Sequence, residues 1–242
     1  LGASVDFVGR VGRGDAERHI AALAAFGVRA TIDEHETLAT GRIVVLVDGD
    51  SRTFLTAGGA ARTLGLDALE QSKIDAAAII LTTGHSLLEP ARLAQMPGLL
   101  QRAGDTPVVL DPSSSGFLRD IGPEAFLAAV TGVDTLVPNL DEGRVLTGLI
   151  DPEDVAVALT RYARLVVLTI GAEGLVLAED GRVTGRVPAV TATVVDPTGA
   201  GDAFAAGYLA ARVNGADDLA AAVAGTQVAA RAVGVAGGRP PV

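Results

Sequence analysis

Apolar and polar positions along this chain follow two different periods. Between residues 76 and 170, short unbroken apolar runs are separated by longer stretches with helical spacing. The runs at 76–81, 107–110 (closing on Asp111), 135–137 and 165–170 predict strands covered on both faces. The stretches at 87–103, 123–130, 140–146 and 152–162 predict helices, the first interrupted near Pro97. Upstream, residues 5–9 and 29–32 predict short strands around a helix at 15–26 that Gly27 closes. The β-rich segments 40–47 and 53–56 flank a turn at 48–51 and predict a hairpin. Downstream, 175–179 and 182–187 flank Asp180-Gly181, a strong signal for a type I′ turn. A β-branched run at 190–195 predicts a strand, and helices are expected at 200–213 and 216–233.

Alternating strands and helices imply an α/β fold, with a mostly parallel central sheet and helices on both faces. In such sheets ligands bind beyond the carboxyl ends of the strands. Polar motifs fall there, at 82–85, 111–115, 138–142, 169–174 and 196–202. No internal repeat, low-complexity linker or second boundary is visible, so one domain over residues 1–242 is expected. The early hairpin at about 40–56 lies outside the alternation and is a candidate lid.

Composition narrows the classes. The chain has 242 residues, ample for one buried core. Hydrophobic content is 49% with only 3% aromatic, so the core is built from small aliphatic side chains. The absence of Cys excludes disulfides and thiolate metal sites and fits a cytoplasmic location. A net charge of −10 argues against nucleic-acid and anionic-membrane partners, but not against a nucleotide held by local donors and a cation. Mean hydropathy is high at +0.40. The longest apolar candidate, 219–238, contains Gln227 and Arg231 and reads as a buried helix, not a span. No basic start followed by an apolar run marks a signal peptide. His19, His35 and His85 show no metal-ligand spacing, and neither a P-loop nor a dinucleotide fingerprint occurs.

Chemistry concentrates in Asp196-Pro-Thr-Gly-Ala-Gly-Asp202, between the expected strand and the helix at 200–213. The first turn of a helix presents unsatisfied N–H groups and partial positive charge. Gly199 and Gly201 remove side chains, so an anion can approach the backbone. Asp202 places a carboxylate beside that cradle, which suits a transfer in which a hydroxyl loses its proton while attacking phosphorus. Taken alone, an acid in a first helical turn is more often a dipole-stabilising residue. Asn139 and Glu142, three apart at a helix start, likewise read first as a capping box.

The whole string resembles the catalytic motif of the ribokinase-like (PfkB-type) carbohydrate kinases, Asp-Thr-x-Gly-Ala-Gly-Asp, with Pro197 replacing the usual Thr. The resemblance implies a three-layer sandwich with a β lid at about 40–56. It implies Asp202 as general base, with the backbone of Gly199, Ala200 and Gly201 as anion hole. Asn139 and Glu142 match the family's Asn-x-x-Glu, which organises Mg²⁺ and phosphates, with Glu142 acting through water. Thr169, Gly171 and Gly174 match a strand end that lines the ATP site. Residues 229–238 resemble the adenine-side segment, and Asp196 and Thr198 fall at a monovalent-cation (K⁺) site. A homodimer through the lid is a further expectation.

The implied activity is ATP-dependent phosphorylation of a primary hydroxyl on a small sugar. Alternatives are an adenosine- or pseudouridine-type nucleoside kinase, and a catalytically silent sugar- or nucleotide-binding regulator. Asp111-Pro-Ser-Ser-Ser115 lacks the Arg of the Asp-x-Asn-x-Arg found in some relatives, which weighs against a keto-sugar acid. At the start, Gly9-Arg-Val-Gly-Arg-Gly-Asp15 carries one residue more than the family's Gly-x-Val-Gly-x-Asp. The first family strand and helix, with their sugar contacts, are expected upstream of Leu1.

Overall fold

The computed structural model describes residues 1–48 and 51–237. Gly49 and Asp50, the centre of the expected early turn, and Gly238 lie outside the described residues. The chain, expected as one domain, divides into two compact units: Ser4–Glu70, and Leu1–Ala3 with Gln71–Val242.

In the smaller unit, β1 (Asp6–Gly12) and β2 (Arg29–His35) pair in parallel around α1 (Ala16–Ala24). Both strands run three residues beyond the apolar runs that predict them. Their added length is held by backbone pairing through Gly12 opposite His35. Asp15 occupies the N-cap of α1 but forms no cap bond. The Glu34 carboxylate accepts from the Ala16 N–H instead, at 2.9 Å. Asp15 is thereby left to accept from the Thr40 hydroxyl and to pair with Arg18. β3 (Arg42–Asp48) and β4 (Ser51–Ala57) form the expected antiparallel ribbon. Ile43, Val44, Leu46, Phe54 and Leu55 are all exposed, on both faces of it.

The larger unit opens with α2 (Gln71–Ala76) and β5 (Ile80–Thr83). The strand therefore begins four residues later than its apolar run suggests, because the start of that run closes α2. α3 (Pro90–Leu93) and α4 (Met96–Ala103) follow, with Pro97 inside the first turn of α4, where a missing N–H costs nothing. Next come β6 (Val108–Asp111), α5 (Ser115–Ile121), α6 (Pro123–Val130) and β7 (Val133–Leu136). α7 (Leu140–Thr147), α8 (Pro152–Leu159), β8 (Ala163–Thr169), β9 (Leu175–Glu179) and β10 (Arg182–Val187) follow, and α9 (Ala200–Val213) and α10 (Asp218–Ala232) end the unit. The sheet order is β10-β9-β8-β7-β6-β5. β5 to β8 are parallel, and β9 and β10 are antiparallel additions. Asp180 and Gly181 both take positive φ, +50° and +73°, as a type I′ turn requires.

The pleat of β8 assigns its side chains to two layers. Leu165 and Val167 are buried with Phe204, Tyr208, Ala221 and Ala222 of α9 and α10. Leu168, on the opposite face, lies against the α7–α8 pair: a Cβ on Gly143 would stand 3.0 Å from Leu168 and 2.5 Å from Val155. Helices thus cover both faces, as the alternation predicts. Residues 190–195 form no strand, contrary to expectation. Val190, Val194 and Val195 are exposed, and the Val195 and Asp196 N–H groups donate to the Val233 carbonyl.

Candidate functional site

The carboxyl ends of β6, β7 and β8 are stitched together beyond the regular ladder. The Val137 N–H donates to the Leu110 carbonyl, and the Thr169 N–H to the Pro138 carbonyl, each at 2.9 Å. A single parallel bridge joins Asn139 to Thr169. These contacts set Asp111, Asn139 and Thr169 on successive strand ends.

Asn139 and Glu142 form a full capping box at the start of α7. Asn139 Oδ1 accepts from the Glu142 N–H at 2.9 Å. The Glu142 carboxylate accepts from the Asn139 N–H at 3.0 Å and from Asn139 Nδ2 at 2.6 Å. Glu142 is only 3% exposed. Burial pushes its pKa up to about 7; the Asn139 hydrogen bonds offset part of that rise, and the nearby Asp111 charge adds to it. Asp141 is exposed and pairs with Arg144, as a solvated surface acid does.

Asn139, Glu142, Thr169 and Gly171 line one cavity of about 480 Å³ together with residues 113–115. Gly174 is not part of it. With φ +97° and a hypothetical Cβ 2.0 Å from the Val187 carbonyl oxygen, it closes the turn into β9. Among the described residues, no cluster of three or more His, Asp or Glu is placed to hold a metal ion.

Before α9 the chain turns on Asp196 and Gly199. The Asp196 carboxylate accepts from the Thr198 N–H at 2.9 Å and the Gly237 N–H at 3.0 Å. It thus ties the turn to the segment after α10. Gly199 is the N-cap, at φ +81°, and no side chain caps the helix. The Ala200 N–H reaches back to the Pro197 carbonyl at 3.2 Å. Gly201 faces open space, so the fold does not demand a glycine there. Asp202 is exposed in the first turn.

Asp111 is the residue that motif reasoning passed over as a functional group. Burial raises its pKa; the Ser113 N–H at 2.7 Å lowers it, the Asp202 charge raises it again, and His85 opposes both. Asp111 therefore lies within the field of Asp202, Glu142 and His85 together. The available signal was an apolar run ending in an acid at a strand's carboxyl end. His35 holds a turn: its Nδ1 accepts from the Thr37 and Leu38 N–H groups.

The family model of pfkB family carbohydrate kinases matches residues 1–242. A 1-phosphofructokinase of Haloferax volcanii is 34% identical over 167 residues, 66% of this chain and 49% of that protein. An adenosine kinase of Schizosaccharomyces pombe is 30% identical over 216 residues, 78% of this chain and 61% of its own length. The chain thus spans about half to three fifths of these curated relatives. Among solved structures, the adenosine kinase from Sinorhizobium meliloti superposes with TM-score 0.89 at 26% identity, covering 100% of this chain and 76% of that one. A PfkB protein from Polaromonas gives TM-score 0.80 at 29% identity, covering 97% and 81%. These neighbours share the ribokinase-like fold.

Proposed function

We propose, on the premise that this chain belongs to the pfkB family of carbohydrate kinases, that its protein transfers the terminal phosphoryl group of ATP to a primary hydroxyl of a small sugar. The observation that carries the reading is the shared cavity at the strand ends, which brings Asn139, Glu142, Thr169 and Gly171 together. Three of these carry donors and the fourth is a buried acid whose raised pKa a bound cation would offset.

Asp202 takes the proton of the acceptor hydroxyl as its oxygen bonds to phosphorus, and ADP leaves with the electrons of the broken bond. The start of α9, at Gly199, Ala200 and Gly201, supplies backbone donors to charge on the moving phosphoryl group. The Ala200 bond to Pro197 leaves the Gly201 and Asp202 N–H groups as the better placed of these. Asn139 fixes Glu142, and the two would hold Mg²⁺ through its water shell. When bound, that ion neutralises phosphate charge. Thr169 and Gly171 shape the ATP side, and Gly174 closes the turn that follows them. Asp196 and Thr198, tied to Gly237, would frame a K⁺ site built from carbonyls. The apolar faces of the β3–β4 ribbon fit a lid that also joins a second copy.

A nucleoside acceptor is the second reading, favoured by adenosine kinases among both the relatives and the solved neighbours. ADP release from Mg²⁺-ATP by the full-length protein, against sugars, sugar phosphates and nucleosides, separates the two. Asp202→Asn is expected to lower turnover about a hundredfold to ten-thousandfold while Mg²⁺-ATP still binds. Full activity in that variant overturns the base assignment. ATP binding without turnover on any acceptor favours the silent regulator.

A further inference from the structure

Among the described residues, only Ser113 and Asp180 are non-glycine residues with positive φ. Asp180 sits in a hairpin turn that requires it. Ser113, at φ +73°, follows a parallel strand and has no such reason. A serine there is strained where glycine would not be, so its side chain has a use that the backbone alone does not explain.

The loop that holds it is fixed from two sides. The Asp111 carboxylate accepts from the Ser113 N–H at 2.7 Å, and the Ser113 hydroxyl donates to the Asp111 carbonyl at 3.2 Å. From the neighbouring strand end, Gly84 comes so close that a Cβ on it would stand 2.0 Å from the Pro112 carbonyl oxygen. Ser114 follows at the N-cap of α5, yet it makes no side-chain cap bond. Serine at that position ordinarily turns its oxygen to the helix backbone. Here Ser113 and Ser114 line the same cavity as Asn139, Glu142 and Thr169.

We propose that Ser114 is a positioning residue that donates a hydrogen bond to the terminal phosphate of the nucleotide, and that Ser113, whose hydroxyl proton is held by the Asp111 carbonyl, fixes the loop that presents it. This rests on the reading of the cavity as the nucleotide site. The chemistry follows from what the cavity lacks. Its charged side chains, Asp141 and Glu142, are acids, so a phosphate there needs neutral donors on the side away from its cation. The Ser114 hydroxyl on a rigid loop meets that need without adding charge.

Ser113→Gly tests this without strain, because glycine adopts the observed φ freely. The full-length wild type, Ser113→Gly and Ser114→Ala are titrated with Mg²⁺-ATP and Mg²⁺-ADP, with melting temperature measured alongside. Both variants should keep the wild-type melting temperature, because in Ser113→Gly the relief of backbone strain offsets the lost bond to the Asp111 carbonyl. Mg²⁺-ATP affinity should fall about tenfold in each, with Mg²⁺-ADP affinity changed less than about twofold. Equal loss for both nucleotides, or wild-type affinity for Mg²⁺-ATP in both variants, overturns the proposal while the nucleotide site stands. A wild type that binds neither nucleotide overturns the site reading and this proposal with it.

Discussion

Glu142 shows how one side chain serves both a fold and a site. Its spacing from Asn139 made a capping box legible in the sequence, and both halves of that box are present. Its burial was not legible, because the closeness of β6, α7 and β8 is set by packing across the sheet and not by the local string. The consequence is a pH dependence with a definite sign. The folded chain keeps a proton on Glu142 up to about 7, whereas the unfolded chain releases it in the ordinary carboxylate range. Stability from this residue is therefore full below that range, declines as pH rises toward 7 and then levels off. Glu142→Gln removes the decline but also one acceptor for Asn139. The melting temperature of the variant relative to wild type should rise between pH 5 and pH 8. A constant difference across that range would show that the buried carboxyl does not titrate as described. Ser113 marks the limit of reading residues from a string: Ser-Ser-Ser carries no sign of left-handed backbone.

At the scale of elements, sequence reading succeeded where a period or turn chemistry was strong. The parallel strands β6 to β8, the Asp180-Gly181 turn and the start of α9 all fall where the pattern puts them. It failed where burial competes with propensity. The β-branched run at 190–195 has the composition of a strand but no ladder partner among the described residues, and Val190, Val194 and Val195 stay exposed. α2 and α5 are short helices of six and seven residues, below the length at which a 3.6 period is visible. The missing strand places more weight on Asp196, which alone among the side chains of residues 190–198 links this stretch to the C-terminal segment in a described hydrogen bond. Asp196→Ala should cost about 1–3 kcal/mol. Amide exchange should accelerate at Thr198 and Gly237. Exchange at Glu153 and Asp154, whose N–H groups the Asp151 side chain caps at the start of α8, should not change. Unchanged exchange at Gly237 would refute the tie.

Across the larger unit, the two ends of the sheet carry different kinds of charge. The carboxyl ends of the parallel strands gather Asp111 and Glu142, with Asp202 in their field, and no hydrogen-bonded basic partner is described for any of the three. The opposite end gathers a network of ion pairs. Arg164, at the start of β8, binds Asp134 and Glu179 at 2.8 Å each and Asp218 at 3.4 Å. Arg212 adds a second pair to Asp218, to which the Tyr208 hydroxyl also donates. Burial alone would push the Asp134 carboxyl up, but Arg164 and the Thr135 hydroxyl more than offset it and hold it below the usual range. This network ties β7, β8 and β9 to α9 and α10, far along the strands from the proposed nucleotide site. Arg164→Ala takes the arginine from Asp134 and Glu179, while Arg212 still pairs with Asp218, and should lower stability by about 1–2 kcal/mol at pH 7, a value moderated by partial exposure. Because the Asp134 pKa is depressed in the fold, this contribution is present above the ordinary carboxylate range and lost as pH falls through the depressed value. The gap in melting temperature between wild type and variant should therefore close in acid, and it should narrow in high salt. Mg²⁺-ATP affinity should stay within about twofold of wild type, since the network touches no residue of the cavity. An affinity loss matching that of the Ser113 and Ser114 variants would mean that the two ends of the sheet are coupled, and that the separation of stability from chemistry does not hold.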